Sequence, residues 1–192
     1  EIVLIENEIF IKLIDAILKN IEKIQNNSNI VAELDVYFSH SKVAVNNNYC
    51  KPKVSNKSSK IKLIKSRHPV IENLLLQNEK FITNDILLDN KNMQIAIITG
   101  PNMAGKSTFL RQVALITVLS QIGSYVPAFS AEVSIVDQLF TRVGASDNLA
   151  GGESTFLVEM NETANILNNA TSKSLIILDE IGRGTSTFDG LS

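Results

Sequence analysis

The sequence predicts an α/β domain with a mainly parallel β-sheet, preceded by helices of a separate all-helical domain. Two observations support this fold class. Apolar residues recur every three or four positions through residues 2–24, which is the period of an amphipathic helix. Beyond residue 60, short apolar runs alternate with helix-like stretches, and this alternation is typical of parallel sheets.

The composition fits a globular chain with a packed core. Of the 192 residues, 44% are hydrophobic, and the formal net charge is only -2. A near-neutral chain is not a basic nucleic-acid binder as a whole, so any DNA contact is expected from a local patch or from parts outside this chain. The single cysteine, Cys50, excludes an intrachain disulfide. Because the chain opens at Glu1 without a methionine and stops at Ser192 soon after a motif, we expect a fragment.

Residues 1–45 are assigned to the helical domain. One helix is expected over residues 2–24, and the polar run "QNNSN" over 25–29 predicts a break before a second helix over 30–45. A long helix of this kind suits a lever or a coiled coil. A core helix of a larger all-helical domain explains the pattern equally well.

Residues 46–60 have the composition of a linker, and we place the domain boundary there. The stretch from Asn46 to Ile71 contains no acidic residue. Its basic side chains could form a DNA-backbone patch, although charged linkers are usually only solvated. These side chains are Lys51, Lys53, Lys57, Lys60, Lys62, Lys65 and Arg67.

Residues 61–192 are assigned to the α/β domain. Strands are expected over 61–66, 93–100 and 174–180, with an extended start to 131–143. Helices are expected over 106–121 and 154–169.

The segment "GPNMAGKS" fits the phosphate-loop pattern G-x-x-x-x-G-K-[ST], and it lies between a predicted strand and a predicted helix. Its glycines let the backbone curl so that amide groups point at a phosphate chain, and the positive end of the following helix adds to the attraction. The sequence therefore predicts a nucleoside triphosphate site. Its expected contacts are Gly100, Pro101, Asn102, Met103, Ala104, Gly105, Lys106, Ser107 and Thr108.

Each polar side chain after the second glycine has an expected role. Lys106 is expected to neutralise the β- and γ-phosphates, and the Ser107 hydroxyl to hold Mg²⁺. Thr108 is placed to reach the α-phosphate with its hydroxyl.

The run "LIILDE" supplies the carboxylates that such a site needs. An apolar strand delivers Asp179 at its end, where a carboxylate can steady the Mg²⁺ shell. Glu180 follows, and we predict that it orients and polarises the attacking water. Lys106 and Glu180 are thus the predicted catalytic residues.

A third motif, "NLAGGEST", lies between the other two. Gly151 and Gly152 expose amides at the start of a predicted helix. Because the first loop already grips its own phosphates, this second loop makes sense if it completes a site on another subunit. A glycine turn that merely precedes a capped helix remains the competing interpretation.

Taken together, "TGPNMAGKSTFLRQ", "FTRVGASDNLAGGESTFLVEMNETA" and "LIILDEIGRGTSTFDG" closely resemble the MutS family of DNA mismatch-repair ATPases. The resemblance covers most of the chain. Residues 61–192 resemble a C-terminally truncated ATPase domain, and residues 1–45 resemble the end of the core and lever helices.

The resemblance implies a P-loop NTPase domain of the ABC type that uses ATP and Mg²⁺. It implies a homodimer that binds mismatched double-stranded DNA, switches to a sliding clamp on ATP and recruits a MutL-type partner. It also implies a cytoplasmic bacterial protein that acts on chromosomal DNA and not on a membrane.

The resemblance also implies roles for residues that spacing alone does not assign. Phe81 would stack on adenine, with Ile82 and Asn84 near its edge. Ser154, beside Gly151 and Gly152, would reach the γ-phosphate held by the partner subunit. The loop over 182–190 would cross the dimer interface.

Two alternatives stay open. The recombination-suppressing branch of MutS-like proteins shares this domain, and the mismatch-reading domain that would decide is not in this chain. A nucleotide-responsive dimerisation module without turnover is the other alternative, against which Glu180 argues. The fragment alone is not expected to recognise mismatches, and its hydrolytic site need not be complete.

Overall fold

The computed structural model describes residues 2–76, 79–142 and 155–181, with the backbone alone at residue 155. The chain divides into two compact units, Glu1–Val43 and Ala44–Ser192. The helices are α1 (Ile2–Leu18), α2 (Ile21–Asn46), α3 (Ile71–Leu74), α4 (Lys106–Gln121) and α5 (Thr155–Asn169). The strands are β1 (Lys53–Ser55), β2 (Lys60–Ser66), β3 (Asn84–Asp89), β4 (Ser130–Ser134), β5 (Leu139–Arg142) and β6 (Leu175–Leu178).

The first unit consists of α1 and most of α2, and its helix break is not where the sequence predicted it. Helix α2 runs without interruption through 25–29, and the break falls at Lys19 and Asn20. Asn and Ser cost only tenths of a kcal/mol each in a helix, so a long helix passes through them. At the observed break the Asn20 amide instead donates to the Ile17 carbonyl (2.9 Å) in a tight turn. None of the α1 residues is buried.

The described part of the second unit contains two sheets and is of the predicted α/β class. Four strands lie in the order β1-β4-β2-β3, and β5 pairs with β6. The expectation of a mainly parallel arrangement is wrong for the described strands, because β2 is antiparallel to both of its neighbours. Only β1 with β4 and β5 with β6 are parallel. Strands β2 and β3 are close in the chain, and antiparallel neighbours need no crossover helix.

Helix α4 is confirmed over the predicted residues and lies at the centre of the core. Its face is apolar because Phe109, Val113 and Ile116 follow one another at helical spacing. These side chains pack with strands from both sheets. The buried cluster comprises Ile61, Leu63, Val113, Ala114, Ile116, Val126, Ala128, Ala131, Val133, Leu175 and Ile177.

The predicted strand over 93–100 is not formed. Residues 95–100 have no regular secondary structure, and Ile95 and Ile97 are about four-fifths exposed, at 79% and 84%. An apolar run favours burial, but a strand also needs a neighbouring backbone to pair with. Among the residues that the structure describes, the segment forms one bridge, which joins Met93 to Asp89.

The stretch predicted as a linker, 46–60, is more ordered than expected. It contains β1, and Cys50 forms an isolated antiparallel bridge with Val126 in which both amides donate across the pair at 2.9 Å. In the part of the chain that the structure describes, no helix is long and apolar enough to cross a membrane.

The core makes a direct prediction for stability. Leu63 is fully buried in β2, whereas Leu87 of the neighbouring β3 is 39% exposed. Leu63→Ala is expected to lower the local free energy of unfolding by about 2–5 kcal/mol, because it removes buried methyl groups and leaves a cavity. Leu87→Ala, the matched control, should cost about 1 kcal/mol or less. Hydrogen exchange of the β2 and β4 amides measures both; equal costs would contradict the assigned core.

Candidate functional site

The loop before α4 has a backbone that only some residues adopt easily. Gly105 has φ +89° and Gly100 has φ +154°, both in the region that favours glycine. Met103, between them, also has a positive φ of 63°, which is uncommon for a residue with a side chain. Both glycines of the motif therefore lie at positions of positive φ in the loop.

The N-terminal end of α4 is open toward this loop. Gly105 is the N-cap, and among the residues that the structure describes no side chain caps the helix. The first amides of a helix have no partner within it and carry the positive end of the helix dipole. An anion held by the loop would satisfy them.

Lys106 folds back over the loop. Its ammonium donates to the Gly100 carbonyl (2.7 Å), with the Pro101 carbonyl at 3.4 Å. Residues 101–105 are exposed, and Ser107 and Thr108 are half-buried. The cation therefore lies at the mouth of the loop, within reach of an incoming phosphate.

The predicted carboxylates follow β6 directly. The Asp179 amide donates to the Arg142 carbonyl (2.8 Å), at the last pair of the β5–β6 ladder, Arg142 with Leu178. Glu180 is exposed and has φ +57°, a strained backbone for a residue other than glycine. Strain of this kind is concentrated at functional sites. Leu175 and Ile177 of β6 share the core with α4, so the loop helix and the carboxylate strand belong to one packed unit.

The donors present fit Mg²⁺. Ser107 offers a hydroxyl and Asp179 a carboxylate, which are the hard oxygen ligands that this ion prefers. Among the described residues, no group of three or more His, Cys, Asp or Glu could hold a metal. A magnesium ion bound with substrate phosphates usually needs only one or two protein ligands, and these two oxygen donors match that requirement in number and kind.

The segment assigned to the base lies just before β3. Phe81 is half-buried, and Ile82 is 84% exposed. Asn84 begins β3, and its side-chain amide donates to the Ile82 carbonyl (3.1 Å). A half-buried aromatic ring and an exposed isoleucine beside this asparagine are compatible with a base-contacting role.

Two predicted features lie outside the described residues. These are the loop with Gly151, Gly152 and Ser154, and the loop over 182–190. Their roles stay predictions.

The basic stretch is not a uniform positive patch. Glu132 of β4 lies in register between Lys53 of β1 and Lys62 of β2. It pairs with Lys60 (3.0 Å), and this hydrogen bond holds the pKa of its carboxyl below the usual value. The charges on this part of the sheet are therefore partly balanced.

Sequence reasoning missed two polar residues inside the core, Ser66 and Gln112. Both are fully buried, and the Gln112 side-chain amide donates to the Ser66 hydroxyl (2.7 Å). Gln112 occupies a position of the apolar face of α4, between Phe109 and Val113. A polar residue in an apolar stripe was the signal that could have identified it.

Comparison with known proteins gives a consistent assignment. The family model "MutS domain V" matches residues 96–192. DNA mismatch repair protein MutS of Alkaliphilus metalliredigens is 56% identical over 192 residues, which is 100% of this chain and 22% of that protein. The proteins of the same name from Clostridium kluyveri and Bacteroides thetaiotaomicron are 53% and 54% identical over 192 residues, again 22% of each. The chain thus spans between a fifth and a quarter of the length of these curated relatives.

The loop geometry predicts a difference between two glycines of similar conformation. Gly105 at the start of α4 and Gly123 just after its end have φ of +89° and +85°, and at both an added Cβ would meet nothing within 4 Å. Alanine at either site therefore costs about 1–2 kcal/mol of backbone strain without a clash. Only Gly105→Ala is expected to weaken binding of inorganic tripolyphosphate, by about tenfold. In this variant the empty phosphate loop relaxes away from positive φ, and it must return to that strained conformation to bind the phosphates. Calorimetric titration compares the two; equal affinities would contradict a phosphate-binding role.

Proposed function

The chain belongs to the MutS family, and from this premise we propose that it is the ATP-binding and ATP-hydrolysing part of a DNA mismatch-repair protein. The observation that carries the proposal is the uncapped start of α4 behind a loop with positive φ at Gly105. Such a loop presents backbone amides and one lysine to a phosphate chain.

In this proposal the phosphate loop binds the phosphate chain of ATP, and Lys106 neutralises part of its charge. The amides at the start of α4 bind the phosphate oxygens, and Lys106 exchanges its contact with the Gly100 carbonyl for the β- and γ-phosphates. Thr108 reaches the α-phosphate with its hydroxyl. Phe81 stacks on adenine, with Ile82 and Asn84 at its edge.

Hydrolysis is assigned to the end of β6. Glu180 orients the attacking water and accepts its proton, and the turn at its positive φ presents the side chain beyond the strand. Ser107 and Asp179 would hold Mg²⁺. When bound, this ion neutralises charge that develops on the phosphate oxygens.

The finer parts of the cycle involve regions outside the described residues or outside this chain. We assign Gly151, Gly152 and Ser154 to the γ-phosphate of a partner subunit in a homodimer. ATP binding would then close the dimer, and differential affinity for nucleotide in its alternative closures would drive mismatch capture, the sliding clamp and recruitment of a MutL-type partner. Relatives that cover the whole chain have the name DNA mismatch repair protein MutS, which supports this role over the recombination-suppressing branch.

The roles of Glu180 and Lys106 can be separated by mutation. In the full-length protein, Glu180→Gln is expected to retain ATP binding and to lower kcat by about 10²- to 10⁴-fold, because the amide cannot accept a proton from water. Lys106→Ala is expected to lose nucleotide binding itself. Equilibrium binding and single-turnover hydrolysis distinguish the two. Turnover at the original rate in Glu180→Gln would refute the assignment of that residue.

Mismatch coupling is tested with DNA. We expect nucleotide exchange or burst hydrolysis by the full-length protein to differ between two duplexes. One duplex carries a single G·T mispair, and the other is the matched duplex. Differential affinity of the DNA-bound states for nucleotide requires such a difference. Pre-steady-state hydrolysis on both duplexes measures it. Equal behaviour with hydrolysis intact would instead favour the recombination-suppressing branch.

A further inference from the structure

Ser66 is a buried junction between two segments of the proposed ATP site. It is the last residue of β2 and has no exposed surface. Its hydroxyl donates to the Asn84 carbonyl (2.7 Å) and accepts from the Gln112 side-chain amide (2.7 Å). One oxygen atom therefore links the start of β3 to helix α4.

These two partners belong to segments that are assigned to opposite ends of the proposed nucleotide. Gln112 is six residues after Lys106 on the same helix, which is about 9 Å of helical rise. Asn84 belongs to the segment assigned to adenine, just after Ile82. The Ser66 hydroxyl thus connects the helix that begins at the phosphates to the backbone that carries the base contacts.

The backbone around Ser66 is distorted in a way that favours this contact. The pairing of β2 with β3 is irregular between Leu63 and Ser66, and Lys65 has a positive φ of 47°. The Lys65 amide, which is turned out of the regular ladder, donates to the Asp85 carboxylate at 2.6 Å. The irregularity brings Ser66 opposite Asn84.

We propose that Ser66 is a positioning residue that, together with Gln112, fixes the base-contacting segment relative to the phosphate loop and so sets the preference for ATP over bare triphosphate. This inference rests on the proposed ATP site. Neither side chain touches the nucleotide in the proposal; both act through Asn84 and α4.

The physical reason for this role is that one hydroxyl serves both the Gln112 amide and the Asn84 carbonyl. Removing the Ser66 hydroxyl would leave the Gln112 amide without this partner in a fully buried position, and would remove the bond that ties the half-buried Asn84 carbonyl to α4. The other polar atom of the Gln112 side chain, its carbonyl oxygen, already has no hydrogen-bond partner among the described residues. The start of β3 is then expected to shift relative to α4, which displaces the base contacts but leaves the phosphate loop intact.

The test compares two ligands in the full-length protein by calorimetry with Mg²⁺, namely ATP and inorganic tripolyphosphate. Ser66→Ala is expected to weaken ATP binding about tenfold and tripolyphosphate binding less than about twofold. Gln112→Leu, which keeps the volume and should fold if Ser66→Ala does not, is expected to do the same. The double variant should be no weaker than either single one, because both break the same connection.

Ser120→Ala is the matched control. Ser120 is also a buried α4 serine, but its hydroxyl donates within the helix, to the Ile116 carbonyl (2.7 Å). It should leave both affinities unchanged. Equal weakening of both ligands by Ser66→Ala and Gln112→Leu, or no weakening by either, would overturn the proposal. Failure of the proposed function would appear separately, as a wild-type protein that binds neither ligand.

Discussion

Burial of one face of α4 is the interaction on which the second unit depends. Ile116 is fully inaccessible, and with Val113 it packs in a cluster that includes β2 and β4 of one sheet and β6 of the other. Apolar burial contributes roughly 25 cal/mol per Å², so a helix that faces both sheets stabilises each of them. The same helix begins at Lys106. The core therefore fixes the position of the phosphate loop as a consequence of its own packing.

Local signals explain the elements that the sequence predicted well. Helix α4 and strand β6 are bounded by a glycine loop and by charged residues, and their apolar patterns are regular over short windows. The failures were of another kind. The strand expected over 93–100 depends on a neighbouring backbone, which no local pattern specifies, and the break expected over 25–29 relied on propensities worth only tenths of a kcal/mol.

The residues of the candidate site likewise divide into those that local sequence patterns predict and those that they do not. The phosphate loop, Asp179 and Glu180 could be predicted from the local sequence, because the loop leads directly into α4 and the two carboxylates directly follow β6. The junction between Ser66 and Gln112 joins residues 46 positions apart and cannot be read from either segment. Its only trace in the sequence is a glutamine where the helix period calls for an apolar residue. Tertiary packing converts that local inconsistency into a specific contact.

The bridge between Cys50 and Val126 gives the chain a built-in chemical reporter. Cys50 is the single cysteine of the sequence, and burial raises the pKa of its thiol. The thiolate is the form that reacts with alkylating reagents, so this half-buried thiol is expected to be labelled slowly at neutral pH. Transient opening of the bridge would expose it and speed its modification. The rate of alkylation of Cys50 therefore reports how readily the segment that follows α2 opens at this bridge, without an added probe.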